Sequence, residues 1–550
     1  MKNLKLLSII LLLGIFIFLP LVSQGQTNSS QEASILSSLE SLLVKLQQIF
    51  ANLTNVSPQN QLAQVVPQAG KHYIRAREDC AAQGRHQGDG SGWACATSDG
   101  GPGAYLDWGP IRSSLVRGDT YYVAGSDNRQ YTSYQYGFVF PPITGTAVIT
   151  IKKANAADNG GDAGWDPSFA SKQAVFDQVY VCTSYITFDG VTGGGPNSWT
   201  SGLGFLFHPS ARGGTPLVVG NANGMCPYAA TSYKTFRHIE LWAPTDYYGT
   251  YSDPFMLSAS LDHVSYLTGQ YLYIHGGADL DLKLGNTDHA LIEYSAIGWS
   301  HVISTATNHT AGTRIDNSTY LTLRYNWFND HCTPGTTGQL GIYDGASNAH
   351  IYYYGNVFSM TNNCNGAGPS RFVYQNSQTA GQDGGANDVL MYNNSFINIA
   401  GDYFWNNSAH DWTNSYSKNN LFYNLSRIQG TPDTHSVIGV SSPALFNNSY
   451  GYYDRATLFT VDPNPQVVAG NPYAGNPWDT GAFALSANTQ PGTPIANVQM
   501  DDGTWTTFNV DMYGHTRTTW SRGAVEYTGS TPPPPQDTAP PSPPTGISVH

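Results

Sequence analysis

The chain of 550 residues carries 25 Lys plus Arg against 38 Asp plus Glu, a formal net charge of −13. Charged residues make up only 11% and aromatic residues 13%, so no basic face invites nucleic acid, and solubility rests on Asn, Ser, Thr and Gly. The 35 Tyr exceed what a buried core needs; they can stack between elements or stand outside as platforms for sugar rings.

Residues 1–25 read as a secretory signal peptide. Lys2 and Lys5 precede an apolar run from Leu6 to Val22, and Ser23-Gln24-Gly25 offers small residues for cleavage. The rival is a retained anchor, because the run approaches the length of a span. Either reading takes the chain out of the cytosol, to a secreted or cell-surface location, with no further membrane segment expected. Across residues 26–70, Ile35, Leu39, Leu42, Leu46, Ile49 and Leu53 step by 4, 3, 4, 3 and 4, the seam of a short heptad helix. It is read either as an oligomerising or tethering helix or as one packed on the main domain; the oligomeric state stays open.

From Lys71 the chain reads as strands. The segment Pro110–Gly125 gives a helical turn, a Gly-Asp turn and a strand, and further strands are expected at Ala147–Ile151, Tyr185–Phe188, Phe236–Leu241, Leu261–Tyr266 and Tyr271–Ile274. A repeat then emerges. Ile292–Ile297, Leu323–Phe328 and Tyr353–Phe358 share one pattern, with anchors Ser295, Asn326 and Asn356 spaced 31 and 30 apart. Asn394 and Asn420 continue it after gaps of 38 and 26. A period of this size carried by strands is that of a solenoid, because Gly, Asn, Ser and Thr interrupt every candidate helix. Asn suits the anchor: its amide can bond the bend and the coil above, and it tolerates left-handed dihedrals. The uneven gaps favour a groove walled on one face.

Six cysteines fit an oxidising compartment. Proximity suggests Cys80 with Cys95, Cys182 with Cys226 and Cys332 with Cys364, among fifteen possible connectivities. Residues 71–527 form the solenoid; residues 528–550 are a Pro-rich linker that ends on what looks like the opening strand of a fibronectin type III module.

The entry motif Leu115-x-x-Gly118-Asp119-Thr120-x-x-Val123-x-Gly125, the turn Tyr185–Gly190 and the Asn-anchored coils resemble the secreted right-handed parallel β-helix proteins. That superfamily includes many polysaccharide lyases and some glycoside hydrolases. Asp511, Gly514, Arg517 and Gly523-Ala524-Val525-Glu526-Tyr527 resemble its closing coil, with Arg522 where Asp is usual. The fold implied is all-β, a right-handed parallel β-helix with a short N-terminal helix. Chemistry does not follow from that fold alone.

In Ala278–Leu284 the leucines at 280, 282 and 284 alternate with Asp279, Asp281 and Lys283, which therefore share the outer face. The register that matches Glu293 to Arg324 also matches Lys283 to Arg314. Stacked cations call for an anionic partner, and a uronate polymer supplies one. Calcium-dependent lyases of the superfamily resemble this layout, which implies Lys283 and Arg314 as catalytic residues. It also implies Ca²⁺ on Asp279, Asp281 and Glu293, with Arg324, His275, Tyr354 and Tyr392 as substrate contacts. The expected activity is β-elimination on an acidic polysaccharide. The bland reading makes Lys283 with Asp281, and Arg324 with Glu293, surface ion pairs that lace coils. Two other functions compete: a non-catalytic carbohydrate-binding adhesin or surface structural protein, and a polygalacturonase-type hydrolase suggested by Asn286-Thr287-Asp288. For the hydrolase, the companion motifs are absent.

Overall fold

The computed structural model describes residues 70–108, 111–131, 138–210, 215–220, 226, 231–243, 255–258, 264–277, 280–301, 311–332, 338–343, 348–361, 371–376, 386–398, 402–406, 415–423, 459–460, 466–468, 471–486 and 492–529. All belong to one compact unit, Val65–His550. The expected signal segment, heptad helix and Pro-rich tail lie outside the described residues, as do Asp279 and Cys364.

Three long parallel sheets of 13, 11 and 9 strands form the body. In each coil the chain visits the nine-stranded sheet, then the 13-stranded sheet, then the 11-stranded sheet, as in Leu280–Gly285, Thr287–Glu293 and Ala296–His301. We call these the third, first and second sheets. Each strand pairs with its equivalent one coil on, which makes the molecule a parallel β-helix. The repeats fall in register as the spacing predicted: Ile292 over Leu323, and Leu323 over Tyr353. Val, Ile, Leu and Phe alternate inward along every face and fill the bore, among them Leu282, Ile292, Leu323 and Phe328.

The bend from first to second sheet is built by two successive residues with separate tasks. Left-handed backbone falls on the residue before the anchor: Tyr271, Tyr294 and Tyr325 have φ of 54°, 51° and 56°, and Asn393 and Asn419 of 54° and 55°. The sequence reading gave that conformation to the anchor itself; the anchor instead makes the amide ladder. Asn326 N–H donates to Asn356 Oδ1 at 3.0 Å, Asn356 N–H to Asn394 Oδ1 at 3.0 Å, and Asn394 N–H to Asn420 Oδ1 at 2.7 Å. Buried backbone donors that no sheet can pair are thereby satisfied. His238, with φ of 57°, occupies the same bend and divides the expected strand Phe236–Leu241 into Thr231–Arg237 and Ile239–Trp242.

Disulfides join Cys80 to Cys95 and Cys182 to Cys226, as proximity suggested. The first closes a loop-rich N-terminal cap around Trp93 that also holds a 3₁₀ helix, Arg77–Gln83, absent from the sequence reading.

The closing motif does not make a last coil. Residues 471–486 and 492–529 pack along the outside of the first and second sheets. Trp199 Nε1 donates to Gly481 O at 2.9 Å, Tyr325 Oη to Val510 O at 3.2 Å, and Tyr354 Oη to Gln499 O at 3.1 Å. The motif residues knot this strap. Asp511 accepts from the N–H groups of Tyr513, His515 and Glu526, Arg517 donates to the carbonyls of Ser521, Gly523 and Ala524, and Glu526 accepts from Thr518, Thr519 and Ser521.

Connection lengths differ by edge. From the strand Thr231–Arg237 to the strand Ser415–Lys418 the bend from first to second sheet is tight, and the long connections, such as 302–310 and 377–385, leave or enter the third sheet; in the earlier coils the connections 154–173 and 190–204 join the first sheet to the second. In the coils that carry Lys283 and Arg314, variation in connection length is therefore concentrated on both flanks of the third sheet.

Candidate functional site

That wall carries Lys283 and Arg314. Leu280, Leu282 and Leu284 are buried inward, so alternation turns the residues between them to the outer face. The strand Leu280–Gly285 pairs with Ala311–Asp316, and Lys283 lies opposite Arg314. Neighbouring strands sit about 4.8 Å apart, which brings the two cations side by side. Arg314 Nε donates to both oxygens of Asp316, at 3.0 and 2.8 Å, so its guanidinium is steadied by a carboxylate on its own strand. Among the described residues no ion pair to Lys283 is found; the anticipated pair with Asp281 does not form.

Asp281 is fully buried and accepts from Gly277 N–H at 3.2 Å, in the connection from the second sheet. Its carboxylate stitches that corner together. Gly285 and Gly341 stand opposite Asp316 and Arg314 in the register, which keeps the wall low around the cations.

The other expected residues lie elsewhere. Glu293 and Arg324 are in register, as predicted, but on the first sheet, where they form a covered ion pair: Arg324 Nε to Glu293 Oε2 is 2.5 Å, and Gln270 Nε2 also reaches Glu293, at 2.5 Å. Met500 of the strap lies on the guanidinium at 3.6 Å. Arg324 is therefore no substrate contact, since its partner and the strap occupy it. Burial would lower the arginine, but the Glu293 carboxylate outweighs that and holds it above its ordinary range. Tyr354 is fully covered and Tyr392 nearly so, in the cluster under the strap; neither has a ring face open to a sugar. Burial pushes the Tyr354 phenol well up.

His275 is on the second sheet. Its ring lies parallel to Tyr273 at 3.9 Å and to Trp242 at 5.6 Å, and Nε2 meets Glu240 Oε1 at 3.1 Å. Burial acts to raise Glu240, yet hydrogen bonds from His275 and Gln173 prevail and hold it below the usual carboxylate range. His275 thus belongs to an aromatic stack and not to the wall of Lys283.

The three expected calcium ligands are not brought together. Glu293 is on a different sheet from Asp281 and is taken by Arg324, Asp281 is turned into a corner, and Asp279 lies outside the described residues. Among the described residues no group of three or more His, Cys, Asp or Glu could hold a metal ion. The residues described do not fit a resident calcium.

The tripeptide Asn286-Thr287-Asp288 is a polar bend. Asn286 has φ of 48°, Thr287 Oγ1 donates to Gly285 O at 3.2 Å, and Asp288 accepts from Thr319 Oγ1 at 2.8 Å. Asp330 likewise closes a turn, accepting from Thr361 Oγ1 at 2.6 Å.

Two further features stand out: a buried lysine with no signal in the sequence, and a ring stack that places the Tyr stacking which the composition suggested. Lys234 points into the bore between Ile186 and Leu267, its Nζ without a hydrogen-bond partner, and burial pushes it down to about 7. Tyr185, Tyr233, Tyr266, His289, Tyr320 and His350 form one continuous stack with centroids 4.3 to 4.8 Å apart. All six have left-handed backbone. Their ring faces are spent on each other, so the stack laces coils and offers no sugar platform.

No protein-family model and no curated protein matches this chain. Among solved structures, pectate lyase Pel9A is 12% identical, over 84% of this chain and 98% of its own, with a TM-score of 0.31. XylC in complex with xylose is 10% identical over 83% and 98%, with a TM-score of 0.36. The family PL6 alginate lyase AlyGC is 11% identical over 84% and 60%, with a TM-score of 0.34. Likeness at this level bears on no chemistry.

Proposed function

We propose that the protein is an exported enzyme that cleaves a uronate-containing polysaccharide by β-elimination on the outer face of the third sheet. The observation that supports this is the register: Lys283 and Arg314 are direct neighbours on adjacent strands of the third sheet, which in these coils is the wall flanked by the longer connections. Two cations side by side repel each other, and among the described residues Asp316 is the carboxylate paired with one of them, Arg314. An anionic ring laid across them supplies the missing charge, and positive charge set in a chain of net −13 marks the place where such a ring is drawn.

In this reading Arg314 pairs with the sugar carboxylate and withdraws charge from it, which acidifies the adjacent C5 proton. Lys283, having passed its own ammonium proton to water, takes the C5 proton on Nζ. The electron pair becomes the C4–C5 double bond, the bond from C4 to the glycosidic oxygen breaks, and the leaving oxygen takes a proton from water. No step is routed through a metal. Export rests on the signal-like N-terminus and agrees with two disulfides. Among the described residues no helix is long and apolar enough to cross a membrane.

The test is release of unsaturated uronate ends, read by their ultraviolet absorbance, from pectate, alginate and glycosaminoglycans. Wild type should release them from at least one, and Lys283→Ala and Arg314→Ala from none. A silent wild type across the panel overturns the eliminating reading and leaves a carbohydrate-binding or structural solenoid.

A further inference from the structure

The strap carries a hairpin with one side turned away from the solenoid. Its strands, Asn497–Gln499 and Trp505–Thr507, pair antiparallel, with Asn497 opposite Thr507, Val498 opposite Thr506 and Gln499 opposite Trp505. Opposite residues share a face, and successive residues alternate. Val498 is buried together with Met500 and Phe508, in the cluster under the strap. Asn497, Gln499, Trp505 and Thr507 therefore face out.

Trp505 is 67% exposed, more than any other large apolar side chain among the described residues. An indole that open has at least one ring face in water. Trp242, at 38%, differs, because His208 and His275 stack along its faces.

Size and neighbours decide what covers the indole. A stable protein interface buries about 800 Å² on each partner, and one side chain of about 150–250 Å², with polar residues on its own face, falls far short. A pyranose matches. Its apolar C–H face lies on the indole, and the amide and hydroxyl groups of Gln499, Asn497 and Thr507 suit its hydroxyls. Charge narrows the class. At the hairpin tip Asp502 is exposed and accepts from Thr504 N–H at 2.9 Å and Oγ1 at 2.6 Å, with Asp501 beside it. Carboxylates there repel a uronate and accept from neutral hydroxyls.

We propose that Trp505 is a binding subsite for a neutral sugar of a polysaccharide, the ring laid on the indole and its hydroxyls met by the side chains that share its face. Gln499 O accepts from Tyr354 Oη and Met500 lies on Arg324, so the hairpin sits over the first sheet and not on the wall of Lys283. The subsite anchors the protein to its polymer apart from cleavage, and it does not rest on the eliminating reading.

The experiment runs full-length wild type, Trp505→Ala, Trp505→Phe, Gln499→Ala and Trp242→Ala on native gels containing xylan, galactomannan, mixed-linkage β-glucan, pectate or alginate. Wild type should be retarded in at least one neutral gel. Trp505→Ala should weaken that retardation about tenfold and Gln499→Ala about threefold. Trp505→Phe should keep most of it and Trp242→Ala all of it, with melting temperatures of the residue 505 variants unchanged. Wild type unretarded in every neutral gel, Trp505→Ala retarded as wild type is, or a loss confined to pectate and alginate overturns the proposal. So does an equal loss in Trp242→Ala, or a lowered melting temperature in Trp505→Ala, which would make the indole a packing residue. Sedimentation in which wild type self-associates and Trp505→Ala does not gives the indole to a second copy and overturns it too. Turnover is not read, so failure of the eliminating reading leaves these outcomes unchanged.

Discussion

Two pairs of charged residues, each spaced by 31 in the sequence, come to opposite ends. Lys283 and Arg314 stand on the third sheet, Glu293 and Arg324 on the first, and both pairs are in perfect strand register. The first pair is like-charged and half-buried; the second is complementary and lies under the strap. Opposite charges at bonding distance can be covered, because their mutual attraction and further hydrogen bonds, here from Gln270, repay the cost of taking them from water. Like charges cannot be covered without a third group. Among the described residues, the covered pair lies under the strap and Lys283 shows no ion pair, and that is the position proposed for an anionic ligand.

The largest effect that would break this contrast is on activity. Lys283→Ala and Arg314→Ala should each lower turnover at least 10²-fold, the size of a lost general base, while changing unfolding free energy by no more than about 0.5 kcal/mol, as for other surface sites. Equal loss of stability in these variants would mean that the pair laces coils and nothing more.

The covered pair should behave in reverse. Arg324→Ala leaves the Glu293 carboxylate buried without its cation, and is expected to cost about 3–5 kcal/mol in denaturant unfolding. Glu293→Gln in the same background should recover part of that. Turnover per folded molecule should stay near wild type. A selective loss of turnover with normal stability would return Arg324 to the substrate.

How much of this was legible beforehand follows from what each signal depends on. The fold was, because the Asn anchors and the alternation around Leu280, Leu282 and Leu284 are local and repeat. The register of Lys283 with Arg314 was, because it is the same count as Glu293 to Arg324. Which sheet each pair occupies was not. A single Asn286 turns the chain from the third sheet to the first, and one residue of bend has no distinct signature beside the other polar turns. Nor was the covering of Arg324, Tyr354 and Tyr392 legible, since it comes from residues 497–512, more than a hundred positions away. The motif Asp511, Gly514, Arg517 and Glu526 announced a closing element, but its hydrogen bonds are internal to the strap and say nothing of where it docks. His275 was misread for a related reason: its partners, Glu240 and Trp242, lie one coil back on a different sheet from Lys283.

The smallest expected effect sharpens the contrast through the strap itself. Asp501, next to the Met500 that lies on Arg324, is partly covered, and burial, reinforced by Asp502 and Glu293 and opposed by Arg324, pushes its carboxyl up to about 7. One cation thus serves two carboxylates, and Glu293 holds it at bonding distance. An ordinary Asp titrates near 3.9, so the folded state binds the Asp501 proton more tightly than the unfolded state does. Its contribution is fully present below about pH 4, is lost as pH rises from about 4 to about 7, and is flat beyond. With solvent screening of a partly covered group, the change should be on the order of 1–2 kcal/mol. Asp501→Asn should remove that slope from the stability–pH curve and leave the strap more tightly held above pH 7. The same substitution should leave turnover on the third sheet unmoved. If the slope persists in Asp501→Asn, it belongs to another titrating group, and Asp501 has no part in how that face is held.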